Sequence, residues 1–311
     1  MSNQRIKPKL FVILGPTAIG KSKVAYYLAK KYGASIINAD SLQVYRCFDI
    51  GTSKPTSEEK ITVPHYLIDI INPEQEFNAA IFRDMAETII SKLTEENKKI
   101  IVVGGTFLYV KILLSGLIEE IELKPELRDK IETIKENKGL PYLYRILIKV
   151  DQESANKIKP NDFIRIQRSL EVFFSTRMKM SDLQQKHGFN NDNYKICKIG
   201  LQMEREELNI RINQRVDRMV RNGFIEEVKS LINKGYDTDL KPMKSIGYKE
   251  LNSFLSGTLE KHEAIDLIKQ NTRRYAKRQM TWLRKEKDIN WYSRETELSK
   301  IEERFIEFFS N

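Results

Sequence analysis

The stretch Leu10-Phe11-Val12-Ile13-Leu14-Gly15-Pro16-Thr17-Ala18-Ile19-Gly20-Lys21-Ser22 decides the fold. Residues 10–14 form an uninterrupted apolar run, which is typical of a strand buried on both faces of a parallel sheet. Residues 15–22 match the pattern G-x-x-x-x-G-K-[ST], and a helical pattern follows them. In that setting backbone N–H groups bind phosphate oxygens, Lys21 adds a positive charge, and the Ser22 hydroxyl can reach a phosphate-bound Mg²⁺. The pattern alone favours a nucleotide such as ATP.

Three more apolar runs alternate with helical patterns, over residues 35–37, 66–68 and 99–103. Asp40, Asp69 and Gly104 follow these runs in turn. The alternation predicts an α/β fold with a P-loop-type core, in which helices flank a parallel sheet. Ligands of such sheets bind beyond the carboxyl ends of the strands, so these three positions are expected near the phosphate loop.

The pattern changes after the fourth run. Amphipathic helices without intervening strands are predicted over residues 126–135, 142–148 and 162–174. Residues 178–193 are polar and are predicted to form a loop, whereas residues 195–202 are predicted to return to the sheet. The sequence therefore predicts a core of residues 1–116 and 195–311 and a small all-helical insertion domain of residues 117–194.

Composition indicates a folded protein with an excess of positive charge. The 53 Lys and Arg residues exceed the 43 Asp and Glu residues by ten, which suits either a solvated surface or a polyanionic partner. Cys47 and Cys197 lack a CxxC partner, so reduced thiols are expected rather than a disulfide framework or zinc site. No apolar segment has the length of a membrane span. We expect a soluble, cytoplasmic protein, monomeric by default.

Eight segments together resemble one family. They are GPTAIGKS, ADSLQVYRCFDIGTSKP, PHYLIDI, GGTFLY, PNDFIRIQRSLEV, RVDRMVRNGFIEEV, SIGYKE and RRYAKRQMTWLR. In this order, and over nearly the whole chain, they resemble the tRNA dimethylallyltransferases of bacterial type. The resemblance implies transfer of a dimethylallyl group from dimethylallyl diphosphate to N6 of the adenosine beside the tRNA anticodon.

The resemblance also implies roles for individual residues. The donor diphosphate, with Mg²⁺, would lie on the phosphate loop, formed by Gly15, Pro16, Thr17, Ala18, Ile19, Gly20, Lys21 and Ser22. Asp40 would be the general base that removes the N6 proton, because a flipped-out adenine amine has to lose a proton during alkylation. Thr17 would hydrogen-bond the bridging oxygen of the donor, and Lys21 would stabilise the leaving diphosphate.

The resemblance further implies a set of tRNA contacts on the anticodon stem-loop. They are Asp40, Ser41, Leu42, Gln43, Thr106, Arg128, Ile164, Arg165, Ile166, Gln167, Arg168, Arg274 and Arg278. Some positions depart from the family pattern: Ile19 stands where Ser is usual, Cys47 replaces a common Gly, and Phe107 replaces Gly or Met.

Three other functions stay open at the level of sequence. The first is an isopentenyltransferase acting on a free adenine nucleotide, which would need neither the helical insertion nor the basic C-terminal segment. The second is a P-loop kinase or NTPase. The third is a non-catalytic RNA-binding protein, in which the combination of Lys21, Ser22 and Asp40 would have no purpose.

Overall fold

The computed structural model describes residues 7–117, 124–188, 192–293 and 297–310. The chain divides into two compact units, one of residues 1–114 with 192–311 and the other of residues 115–191. The predicted boundaries, 117 and 194, lie within three residues of this division. Within the described ranges, no helix is long and apolar enough to cross a membrane.

The elements follow in chain order. The first part of the larger unit has β1 Lys9–Leu14, α1 Lys21–Tyr32, β2 Ser35–Asn38, α2 Ser57–Thr62, β3 His65–Tyr66, α3 Ala79–Glu95, β4 Ile100–Val103 and α4 Phe107–Ser115. The smaller unit has α5 Pro125–Lys138, α6 Leu140–Val150, α7 Gln152–Lys157, α8 Phe163–Thr176 and α9 Met180–His187. The larger unit then resumes with β5 Lys195–Gln202, α10 Arg205–Arg221, α11 Phe224–Asn233, α12 Tyr248–Leu255, α13 Lys261–Leu283, β6 Ile289–Ser293 and α14 Leu298–Ser310.

The described strands form one parallel sheet in the order β3-β2-β4-β1-β5-β6. Strand β1 lies inside it, between β4 and β5. Leu10, Val12 and Leu14 belong to one hydrophobic cluster, whereas Phe11 and Ile13 belong to another. Helices therefore cover both faces of the sheet, as the continuous apolar run predicts. The α/β fold class and the return of residues 195–202 to the sheet are confirmed.

The sheet differs from the prediction at both edges. Strand β3 comprises only His65–Tyr66, because Leu67 and Asp69 adopt positive φ angles of 63° and 56° that end the extended chain. At the opposite edge, β6 adds a strand beyond those predicted from the four apolar runs and residues 195–202.

The predicted loop over residues 178–193 was wrong, because residues 180–187 form helix α9. The buried carboxylate of Asp151 accepts hydrogen bonds from the Ser181 backbone N–H at 3.0 Å and from the Ser181 hydroxyl at 2.7 Å. It therefore binds the first turn of α9 from 30 residues away. A local sequence pattern contains no trace of this distant partner.

Candidate active site

The phosphate loop joins β1 to α1 with three residues at positive φ: Gly15 at 147°, Ala18 at 65° and Gly20 at 101°. At Gly15 a Cβ atom would lie 3.0 Å from the carbonyl oxygen of Leu201 on β5, so glycine allows this close approach. The Ile19 side chain is completely buried and packs in the core. The family's usual Ser is therefore replaced by Ile at a position whose side chain points away from solvent.

The Lys21 ammonium lies inside the loop. Its side chain is only 8% exposed, and Nζ donates a hydrogen bond of 2.8 Å to the Pro16 carbonyl oxygen. Burial first, and then the positive charge of Arg215, lower the pKa of Lys21 to about 7, while the carboxylate of Asp40 acts in the opposite direction. A bound anion would favour the charged form of this lysine.

Asp40 follows β2, and its carboxylate is fixed by its own turn. Oδ1 accepts backbone hydrogen bonds from Leu42 at 2.9 Å and from Gln43 at 3.4 Å. Oδ2 lies against Gly105, where a Cβ atom would come within 3.2 Å of it. The hydrogen bonds to Oδ1 thus fix the orientation of the Asp40 carboxylate, and Gly105, which has no side chain, leaves space beside Oδ2.

Thr106 ties the end of β4 to the segment after β2. Its hydroxyl accepts a hydrogen bond from the Ser41 backbone N–H at 3.0 Å and donates one to the Ser41 hydroxyl at 3.1 Å. The preceding Gly104 is required because a Cβ atom there would lie 2.0 Å from the Ala39 carbonyl oxygen. Thr106 therefore orients the chain around Asp40.

Gln279, on α13, bridges the phosphate loop and the end of β4. Its Oε1 accepts a hydrogen bond of 2.8 Å from the Thr17 backbone N–H, and its Nε2 donates one of 2.7 Å to the Gly105 carbonyl oxygen. Tyr275, one turn earlier, donates its hydroxyl to the same carbonyl oxygen at 3.1 Å. Sequence reasoning did not assign Gln279 to the site; the four-residue spacing of Tyr275 and Gln279, which puts both on one helix face, was the available signal.

Arg215, on α10, was also missed. Its Nη1 donates to the Thr17 hydroxyl at 2.5 Å, and its Nε donates to the Ser53 hydroxyl at 3.2 Å. Burial lowers the pKa of this guanidinium, which nonetheless stays cationic because arginine starts from so high a value. Arg211, Arg215 and Arg218 recur at spacings of four and three, and this helical stripe could have been recognised in the sequence.

A cavity of about 550 Å³ lies beside the phosphate loop and Asp40. The predicted site residues that line it are Thr17, Ala18, Gly20, Lys21, Ser22, Asp40 and Gln43, so seven of them converge there. Lining cations outnumber lining carboxylates: they are Lys21, Lys23, Lys54, Arg211, Arg215 and Arg218 against Asp40 and Glu59. The excess of positive charge around the phosphate loop suits a polyphosphate ligand.

A divalent cation would need to bring most of its own ligands. In the part of the chain that the structure describes, no three His, Cys, Asp or Glu side chains cluster as a metal site. The exposed Ser22, at the start of α1, offers a single hydroxyl. Since Mg²⁺ usually keeps several waters and binds through substrate phosphates with few protein ligands, this donor set fits a diphosphate-bound Mg²⁺.

The remaining predicted RNA contacts have varied surroundings. In the smaller unit, Ile164 is 77% exposed and Arg165 and Arg168 are exposed, whereas Ile166 and Gln167 are buried. The Ile166 side chain packs in the hydrophobic cluster of that unit, and the predicted RNA contact at this position stays a prediction. Arg128 forms a 3.0 Å ion pair with the buried Glu171. In the larger unit, Arg274 and Arg278 are exposed on α13.

Two departures from the family pattern have structural consequences. Cys47 has a φ of 67°. The glycine that is usual at this position adopts such a conformation without strain, whereas the side chain of cysteine makes it less favourable. The Phe107 ring packs against the Trp282 ring at a centroid separation of 6.0 Å.

Comparisons with known proteins agree on one family. The model of the IPP transferase family matches residues 43–286. The tRNA dimethylallyltransferase of Geobacter metallireducens is 46% identical over 285 residues, covering 92% of each chain. The crystal structure of a full-length tRNA isopentenylpyrophosphate transferase from Bacillus halodurans superposes with a TM-score of 0.72 at 37% identity, covering 98% of this chain and 97% of that one. A eukaryotic dimethylallyltransferase acting on tRNA gives a TM-score of 0.82 at 28% identity, covering 96% and 80%. The chain belongs to the IPP transferase family.

Proposed function

We propose that the protein transfers a dimethylallyl group from dimethylallyl diphosphate to N6 of the adenosine adjacent to the tRNA anticodon. The observation that carries the proposal is the convergence of Asp40 with the cationic phosphate loop on one cavity. Within that cavity a carboxylate can remove a proton, while the positive charges stabilise an anionic leaving group. The family membership and the names of its relatives support the same reaction.

The proposed reaction forms an N–C bond and breaks a C–O bond. The adenine N6 attacks the first carbon of the dimethylallyl group, the electron pair of the C–O bond leaves with the diphosphate, and Asp40 accepts the N6 proton. Because Oδ1 of Asp40 is engaged by two backbone N–H groups, Oδ2 is the oxygen that takes the proton. The products are N6-dimethylallyladenosine in tRNA and pyrophosphate.

The developing negative charge on the diphosphate meets Lys21, Arg215 and the loop N–H groups. Thr17 is held by Arg215 through its hydroxyl and by Gln279 through its N–H. We expect the residue held in this way to contact the bridging oxygen of the donor. Bound Mg²⁺ would supply further neutralisation of the diphosphate charge, with Ser22 as its protein ligand.

The tRNA acceptor is supported by the exposed cations. Arg165 and Arg168 on α8, and Arg274 and Arg278 on α13, present guanidinium groups suited to RNA phosphates and stacked bases. A free adenine nucleotide would need neither surface. The salt dependence of binding separates the two cases, because phosphate-backbone contacts release counterions.

The test is an acceptor comparison. The protein is incubated with dimethylallyl diphosphate labelled in the dimethylallyl group, with Mg²⁺ and with unmodified tRNA, AMP or ATP. We expect label in tRNA alone, and Asp40→Asn should abolish it while leaving tRNA binding largely intact, since the other tRNA contacts remain. Asp84→Asn, at an exposed carboxylate on α3, is the matched control and should be fully active. Label in AMP but not in tRNA would overturn the proposal, and phosphate release from ATP alone would favour an NTPase.

A further inference from the structure

Glu227 accepts four hydrogen bonds, three of them from a segment that borders the candidate active site. Its Oε2 accepts the backbone N–H groups of Asp49 at 3.0 Å and Ile50 at 2.6 Å. Its Oε1 accepts the backbone N–H of Gly51 at 3.1 Å and the hydroxyl of Tyr248 at 2.7 Å. A carboxylate has about four lone-pair positions, so its accepting capacity is used in full.

The segment is also packed tightly onto α11 and α12. At Gly51 a Cβ atom would lie 2.2 Å from the Phe224 ring and 2.6 Å from the Tyr248 hydroxyl. Three consecutive N–H groups directed at one carboxylate form a compact anion-binding arrangement, so the segment has one preferred conformation when Glu227 is charged. Glu227 itself does not line the active-site cavity.

The residues that follow this segment hold two groups of the site. The Thr52 carbonyl oxygen accepts a hydrogen bond of 2.9 Å from Nε2 of Gln43, which is one of the predicted tRNA contacts. The Ser53 hydroxyl accepts the 3.2 Å bond from Nε of Arg215. A shift of residues 49–53 would therefore displace one group on the acceptor side and one on the diphosphate side.

We propose that Glu227 is a positioning residue, which fixes residues 49–53 so that Gln43 and Arg215 stand ready for the acceptor and for the donor diphosphate. The inference rests on the proposed function for its acceptor side. Its diphosphate side depends only on the cationic phosphate site.

The decisive variant is Glu227→Gln. Its amide NH₂ group, itself a donor, would replace a carboxylate oxygen that accepts two hydrogen bonds, so two donors would lose their acceptor. Glu226→Gln is the matched control: Glu226 occupies the same first turn of α11 but is exposed. Loss of favourable charge at the helix N-terminus is common to both variants and cancels in the comparison. Tyr248→Phe removes one of the four donors and keeps the three backbone donors, so it should stay within about 3-fold of the wild type.

We expect Glu227→Gln to raise the KM for donor and for tRNA by about 10-fold each, the effect of losing well-placed hydrogen bonds. The affinity for inorganic pyrophosphate, measured by calorimetry, should fall by about the same factor of 10. A merely structural role would lower kcat through a smaller folded fraction and leave both KM values and the pyrophosphate affinity unchanged, which would overturn the inference. An equal effect of Glu226→Gln would overturn it as well.

Failure of the proposed function gives a different result. A wild-type protein that binds pyrophosphate but alkylates no tRNA would refute the proposed function, and weaker pyrophosphate binding by Glu227→Gln would still support positioning through Arg215. If Glu227→Gln does not fold, Glu227→Asp keeps the charge with a shorter side chain. A rise in both KM values with this variant would then support the inference, and unchanged KM values would overturn it.

Discussion

Replacing Lys21 by Met should stabilise the empty protein while removing its ability to bind the donor. The lysine is buried beside another cation, and its pKa is lowered from 10.5 to about 7, first by burial and then by Arg215. The folded protein therefore disfavours the charged form that a diphosphate ligand requires. Such a conflict between stability and function is common in ligand sites.

The magnitude follows from linkage. At about 1.4 kcal/mol per pH unit, the drop from 10.5 to about 7 corresponds to a cost of about 5 kcal/mol for the charged lysine. Below pH 7 Lys21 is charged in both folded and unfolded states, so the whole cost is present. Between pH 7 and 10.5 the folded lysine is neutral and the unfolded one charged, so the cost falls as pH rises and vanishes near 10.5.

Methionine removes this cost but leaves the Pro16 carbonyl oxygen without its partner, a loss of about 1 kcal/mol. Lys21→Met should therefore raise the free energy of unfolding by about 4 kcal/mol at pH 6 and by about 1 kcal/mol at pH 9. The measurement is urea denaturation at both pH values, with Lys23→Met, at an exposed neighbour on α1, as the control. A gain that does not change with pH, or a Lys21→Met protein no more stable at pH 6 than the control, would refute the reasoning.

Four further predictions address other parts of the molecule. Arg215→Met should raise the donor KM by about 10- to 100-fold in initial-rate assays, because it removes a charge-assisted contact; an unchanged KM would exclude Arg215 from the donor site. Gln279→Met should lower kcat by about 10-fold, since Thr17 loses the bond that fixes it, and a wild-type kcat would contradict this role. Asp151→Asn should destabilise the protein to urea by about 2 to 3 kcal/mol, because the buried carboxylate accepts four hydrogen bonds. Burial raises the pKa of Asp151, but the hydrogen bonds from Ser154 and Ser181 outweigh burial and lower the pKa overall. The stability that this carboxylate contributes should therefore be lost only as pH falls below the ordinary range of Asp. Raising salt should weaken tRNA binding in filter-binding assays far more than donor binding, and equal losses would argue against phosphate-backbone contacts.

The sequence predicted those parts of the site that depend on local pattern. Strand, phosphate loop and helix are contiguous from Lys9 to Tyr32, so chain geometry alone places Lys21 and Ser22 at the loop. Asp40 and Gly104 follow neighbouring strands of the sheet, and parallel topology brings them together at one edge. These predictions required no knowledge of side-chain packing.

The parts that were missed depend on contacts across the chain. Thr17 is held by Arg215, 198 residues away, and by Gln279, 262 residues away. Glu227 binds the backbone of residues 49–51, which leaves no trace in the side-chain sequence of that segment. Arg215 and Gln279 each share a helix face with other polar side chains, but only the packed helices reveal what these faces contact.

The central claim is that a phosphate loop here serves alkyl transfer to an RNA base. The most direct measurement is nucleoside analysis of unmodified tRNA after incubation with Mg²⁺ and dimethylallyl diphosphate labelled in the dimethylallyl group. The account predicts label on N6 of the adenosine adjacent to the anticodon with the wild-type protein, and none with Asp40→Asn. Label at another nucleotide, or equal labelling by the Asp40→Asn protein, would contradict it.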